Sequence, residues 1–154
     1  MGSAMLAGSS GEQLLEVAVT HPIALMANAL GVPHDYMITS GKDHGIPVAA
    51  LVGAKEHAIK QVAAGVDLIV AQGTEAGGHC GEVSTLVVVP EVIDAIDDAV
   101  PVLAAGVIVT GRQMAACVAL GAAGAWTGSV WLTTEEAETA PHTVRKMLAA
   151  TSRD

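Results

Sequence analysis

Residues 65–84 read GVDLIVAQGTEAGGHCGEVS, and this stretch decides the fold. Asp67 to Ala71 (DLIVA) is a short, unbroken apolar run, the pattern of a strand buried on both faces. Ahead of it, Ala54 to Ala64 (AKEHAIKQVAA) holds good helix formers throughout, and Gly65 is a natural helix stop. Behind it runs a glycine-rich loop, Gln72 to Ser84. Helix, glycine, buried strand and long loop in succession are the grammar of a parallel α/β protein.

The same grammar extends in both directions. Upstream, Glu12 to Thr20 reads as a helix, Ile23 to Ala27 as a strand, and Pro33 to Gly41 as a helix with Pro33 in its first turn. Pro47 to Val52 (PVAALV) is a compact strand between Gly45 and Gly53. Downstream, Thr85 to Ala99 reads as a helix with a start near Pro90, and Pro101 to Ala105 (PVLAA) as a strand. Gly111 to Leu120 follows as a helix closed by Gly121, Ala123 to Thr127 as the last strand, and Glu135 to Glu138 and Pro141 to Ala150 as short helices. About five β/α units result, with right-handed crossovers expected between parallel strands. A closed barrel takes eight such units and a doubly wound sheet is satisfied with five, so periodicity leaves both open.

Composition narrows the function. The 154 residues suffice for one domain with one core, and no linker or low-complexity tract divides them. Acidic residues outnumber Lys and Arg by 16 to 7, so no basic face for nucleic acid is expected. The acids Glu91, Asp94, Asp97 and Asp98 read as a solvated helix face. No run of about 18 apolar residues marks a membrane span. Residues 1–11 are Gly/Ser-rich, with neither the basic start nor the apolar core of a signal peptide. Cys80 and Cys117 form no motif, which fits a reducing, cytoplasmic compartment. His21, His34, His44 and His142 show no metal-ligand spacing with carboxylates, and no metal is expected.

Chemistry in a parallel α/β protein collects at the carboxyl ends of its strands. Three loops there stand out. In the first, Gly77 and Gly78 let backbone approach a flat ligand, and His79 stands beside them as a general base near neutral pH or as a loop residue bonded to backbone. In the second, Ala104 to Arg112, a strand ends in glycine and a helix begins near Gly111, where free amides suit a phosphate. The third is Trp126-Thr127-Gly128-Ser129. Two such loops in succession match the shared phosphate site of a barrel's last two strands. Lys55 reads equally as a residue approaching a ligand or as a surface lysine. Cys80 and Cys117 read as packing residues, His57 as solvated, and Arg112 as a phosphate contact or a helix cap.

The segments PVAALVGAKEHA, GVDLIVAQGTEAGGHCGEVSTLVVVPEV, PVLAAGVIVTGRQMAA and GAAGAWTGSVWL, spread over residues 24–137, resemble nitronate monooxygenases, formerly called 2-nitropropane dioxygenases. AQGTEAGGHCGE is the specific segment; the strand-plus-glycine pieces are shared with other phosphate-binding barrels. The resemblance implies a partial TIM (β/α)8 barrel over residues 1–154, the phosphate-binding half, without the family's first strands and with a shortened extension after Asp154. It implies FMN-dependent oxidation of alkyl nitronates by molecular oxygen. The family's motif histidine falls on His79, which would take the substrate's α-proton or orient the nitronate. Gln72, Gly77 and Gly78 would line the flavin, and Gly106, Gly128 and Ser129 would cradle its phosphate. A flavin-dependent enoyl-thioester reductase and an inactive truncated remnant are the alternatives.

Two structural expectations follow. A sequential strand order marks a barrel arc, and its open edges and inner face favour self-association. The resemblance also places a second glycine at position 107 and a small residue at 109, where this chain has Val107 and Val109; a positive φ at 107 makes a β-branched residue costly.

Overall fold

A computed structural model describes residues 9–151 and 153. Residues 1–8, within the stretch read above for a signal peptide, lie outside the described residues. The elements run α1 (Ser9–Ala18), β1 (Met26–Asn28), α2 (Asp35–His44), β2 (Val48–Val52), α3 (Lys55–Ala64), β3 (Leu68–Gln72), α4 (Thr85–Ile96), β4 (Val102–Ala105), α5 (Gly111–Ala119), β5 (Gly124–Trp126), a 3-10 turn (Ser129–Thr133) and α6 (Pro141–Ala149).

The five strands form one sheet in the order β1-β2-β3-β4-β5. Every neighbouring pair is parallel. Sequential order without reversal is the arc of a (β/α) barrel and excludes the doubly wound sheet. Alternate strand residues, Val48, Ala50, Val52, Ile69, Ala71, Val102 and Ala104, join one core with Val88, Val89, Val92 and Ile96 of α4. The alanines in that row are small, which lets helices sit close to the sheet. The arc leaves β1 and β5 as edge strands.

Two readings of the sequence need correction. Helix α4 does not start near Pro90 but at Thr85, with Pro90 inside it. Pro90 lacks an N–H, so it removes one bond to the first turn rather than ending the helix. The earlier start has a distant cause. The N-cap Ser84 makes no side-chain cap, and the Glu75 carboxylate accepts the Thr85 amide at 2.9 Å in its place. Residues Glu135 to Glu138 form no helix. The turn forms earlier, at Ser129–Thr133, where the Trp131 Nε1 donates to Thr127 Oγ1 at 2.9 Å. A smaller shift concerns α2, whose N-cap is His34, so Pro33 precedes the helix.

Candidate active site

Two clefts open at the carboxyl ends of the strands, side by side. The first, 590 Å³, is walled by the loops after β1, β2 and β3 and by the start of α3. The second, 420 Å³, is walled by the loops after β3, β4 and β5. Gln72, the last residue of the central strand β3, lines both.

The structure divides the sequence-derived residues between them. His79 is exposed and lines the first cleft with Gln72. Gly77, Gly106, Gly128 and Ser129 line the second, again with Gln72. Gly78, at φ 81, is the turn residue between the two and lines neither. His57 is exposed, as expected of a solvated residue, and also borders the first cleft. Lys55 turns away to pair with Glu91 of α4 at 2.7 Å, so it is a surface lysine. Arg112 is exposed and outside the second cleft. Cys117 is core, whereas Cys80 is exposed rather than packed.

Close backbone packing holds the glycine loop in place. A Cβ on Gly53 would lie 2.6 Å from Gly81 Cα, so only a glycine pair lets the loop after β3 rest on the turn after β2. On its other side the loop is tied down by Glu75. Its Oε2 accepts the Thr85 amide and hydroxyl, both at 2.9 Å. The Thr85 hydroxyl also lies 3.2 Å from the Ala105 carbonyl, with one proton to share between the two acceptors. The Thr85 backbone N–H, with help from the Thr85 and Thr74 hydroxyls and against the effect of burial, holds the Glu75 carboxyl below its ordinary value.

The loop after β4 is bound differently from the simple helix N-terminus expected. Thr110 and Gln113 form a capping box at the start of α5. Gln113 Oε1 accepts the amides of Val109 and Thr110, each at 2.9 Å, and Gln113 Nε2 donates to the Val107 carbonyl at 2.6 Å. These two amides are therefore already engaged. The amides of Val107 and Ile108 on this loop, and of Gly128 and Ser129 on the next, donate to no other group among the described residues. Val107 has φ 52, a left-handed conformation that a β-branched residue adopts at a cost. Gln113 holds that conformation from the carbonyl side. The second cleft contains no Lys or Arg, so backbone amides are its anion donors. Among the described residues no cluster of His, Cys, Asp and Glu could hold a metal ion.

Sequence reading missed Glu75, Thr85 and Gln113. The T-x-x-Q spacing of the capping box was a usable signal for Gln113. Nothing local marked Glu75, whose partner lies ten residues on.

Comparisons with known proteins agree with this fold. A family model described as nitronate monooxygenase matches residues 3–154. A Mycobacterium tuberculosis protein named as a monooxygenase is 60% identical over 143 residues, covering 93% of this chain and 38% of that protein. A hydroxy-methyl-oxo-octahydro-indene-carboxyl-CoA dehydrogenase of Rhodococcus jostii is 36% identical over 137 residues, covering 89% of this chain and 38% of that protein. The solved structure of FabK from Thermotoga maritima superposes with a TM-score of 0.86 at 33% identity, over 97% of this chain and 47% of that one. The chain thus spans less than half the length of each of these relatives.

Proposed function

The chain belongs to the nitronate monooxygenase family, and from that premise we propose that it contributes the FMN and substrate clefts of an oxidoreductase that oxidises alkyl nitronates with molecular oxygen. One observation carries this reading. Free amides line one cleft and His79 the other, and Gln72 joins them at the end of the central strand.

The second cleft suits the phosphate end of FMN. Four unbonded amides, of Val107, Ile108, Gly128 and Ser129, supply donors without a cation. Gly106 brings the chain into this turn at φ 125, where a Cβ would lie 2.5 Å from Thr85 Oγ1. Gly77 and Gly128 have nothing within 4 Å of a built Cβ, which leaves room for a flat ligand against the backbone. FMN, when bound, supplies the redox chemistry; the protein positions it.

His79 acts in the first cleft. With a neutral nitroalkane its imidazole accepts the α-proton, and the electron pair left behind spreads onto the nitro group as a nitronate. With a pre-formed nitronate no proton is removed, and His79 only orients the anion. His79→Asn should therefore lower turnover of the neutral nitroalkane by about 10²–10⁴-fold while flavin stays bound. Wild-type turnover in that variant refutes the base. Loss of flavin with an unchanged rate per bound flavin would make His79 a cofactor-site residue. Self-association through the free edges of β1 and β5 belongs to the same reading.

A second reading, flavin-dependent turnover of a CoA thioester, is favoured by the 36% identity to a carboxyl-CoA dehydrogenase. Activity with an enoyl thioester and NAD(P)H, without nitronate turnover, selects it.

A further inference from the structure

The loop after β1 is fixed more firmly than an ordinary surface turn. Asn28, the last residue of β1, donates from Nδ2 to the Gly31 carbonyl at 2.7 Å, and Gln61 on α3 donates from Nε2 to the same oxygen at 2.9 Å. Both lone pairs of that carbonyl are thereby occupied. Asn28 Nδ2 also lies 3.4 Å from the Leu30 carbonyl. Gly31 itself stands at φ 67, in the left-handed region that glycine enters freely. Pro33 restricts Val32, the residue between, to extended backbone.

The Gln61 half of this clamp comes at a cost. Gln61 is 3% exposed, and its Oε1 is buried with no donor among the described residues. A buried acceptor left unpaired destabilises a fold. What the molecule gains in return is a fixed position for Gly31 and for the residues on either side of it.

Those two residues are apolar and open. Leu30 is 68% exposed and Val32 47%, and both line the first cleft. Leu51 of β2 and Val83 of the glycine loop line it as well. Apolar groups gathered at a cleft wall are a surface that an apolar ligand covers. His79 lines the same cleft, and its 590 Å³ exceeds what a nitro group fills, within the roughly 300–1,000 Å³ of pockets that enclose larger ligands. With the charged end of a nitronate at His79, the alkyl chain is the part left to meet the apolar wall.

We propose that Leu30, with Val32, Leu51 and Val83, forms the subsite for the substrate's alkyl chain, so that longer straight chains are preferred. Asn28 and Gln61 are the positioning residues that hold Leu30 in place. The inference rests on the reading of the first cleft as the nitronate's and names the substituent that the cleft selects.

Isothermal titration of the FMN-equilibrated 154-residue chain with straight-chain carboxylates tests this. A carboxylate copies the planar two-oxygen anion of a nitronate but does not turn over. Affinity should rise from butanoate to octanoate by roughly twofold per methylene, since full burial of a methylene is worth about fourfold and an open cleft covers about half of it. Leu30→Ser should cut the octanoate-over-butanoate ratio by about fivefold, the scale of one partly covered leucine. The double variant Asn28→Ala with Gln61→Met, its fold checked by circular dichroism, should lower the same ratio. Leu148→Ser, on α6 outside both clefts and 71% exposed, should keep the wild-type ratio. A flat series, no binding at millimolar octanoate, or a wild-type ratio in Leu30→Ser overturns the subsite. A wild-type ratio in the folded double variant overturns the positioning role. Nitronate turnover, measured separately, reports the reading beneath: turnover with a flat carboxylate series sinks only this inference, and a rising series without turnover sinks only the nitronate assignment.

Discussion

Replacing Val107 with glycine tests the strained turn beside the second cleft. Val107 sits at φ 52 with its side chain 56% exposed. A β-branched residue held in the left-handed region costs about 2.5 kcal/mol, within the range for sparsely populated backbone conformations. Glycine gives back about 0.75 kcal/mol through its greater freedom in the unfolded chain. Losing the half-buried valine side chain gives back about 0.75 kcal/mol more. The balance favours glycine by about 1 kcal/mol, which raises Tm by roughly 2–4 °C for a chain of this size. Urea denaturation reads the same change as a midpoint shift of about 0.5 M at constant slope. Val107→Ala is the control: it sheds the branching but keeps the L-residue penalty, so its midpoint should fall below that of Val107→Gly. A midpoint for Val107→Gly at or below wild type would refute the strain argument.

Other variants probe the same framework. Gln113→Leu releases the Val107 carbonyl and the amides of Val109 and Thr110, so it should cost about 1–2 kcal/mol, as a lost helix cap does, read by thermal denaturation. For Glu75, whose folded pKa is depressed, the stabilisation is present above its ordinary value of 4.5 and lost as pH falls through the lower folded value. Urea midpoints of wild type and Glu75→Gln should therefore differ at pH 7 and converge in acid; a gap that persists at low pH contradicts the carboxylate's role. Gly106→Ala should unfold the loop, since its Cβ would meet Thr85 and its φ is positive. Gly128→Val, in open space at φ −125, should keep the fold by circular dichroism yet lose flavin first.

Much of the fold was legible because apolar runs and glycine stops are local signals. The strands β2 and β3 and the helices α3 and α5 fall within a residue or two of their sequence readings, since Gly53, Gly65 and Gly121 punctuate them. What was not legible was set by groups distant in sequence. The start of α4 depends on a carboxylate ten residues upstream, so Pro90 misled a local reading. The turn at Ser129–Thr133 is held by the Trp131–Thr127 bond, which no periodicity announces. At the site, the glycines marked the right strand ends, and the concern over Val107 met a positive φ. The division of Gln72, His79 and the glycines between two clefts needed the three-dimensional arc. So did the finding that Gln113 consumes two of the amides that a helix start would offer to an anion.

The central claim is that these clefts form a flavin site with His79 beside it. The absorbance spectrum of the purified 154-residue chain, before and after incubation with FMN and removal of the excess, tests it most directly. The account predicts a flavin band near one FMN per chain in wild type and Val107→Gly, and its loss in Gly128→Val. A folded chain that retains no flavin after reconstitution would contradict it.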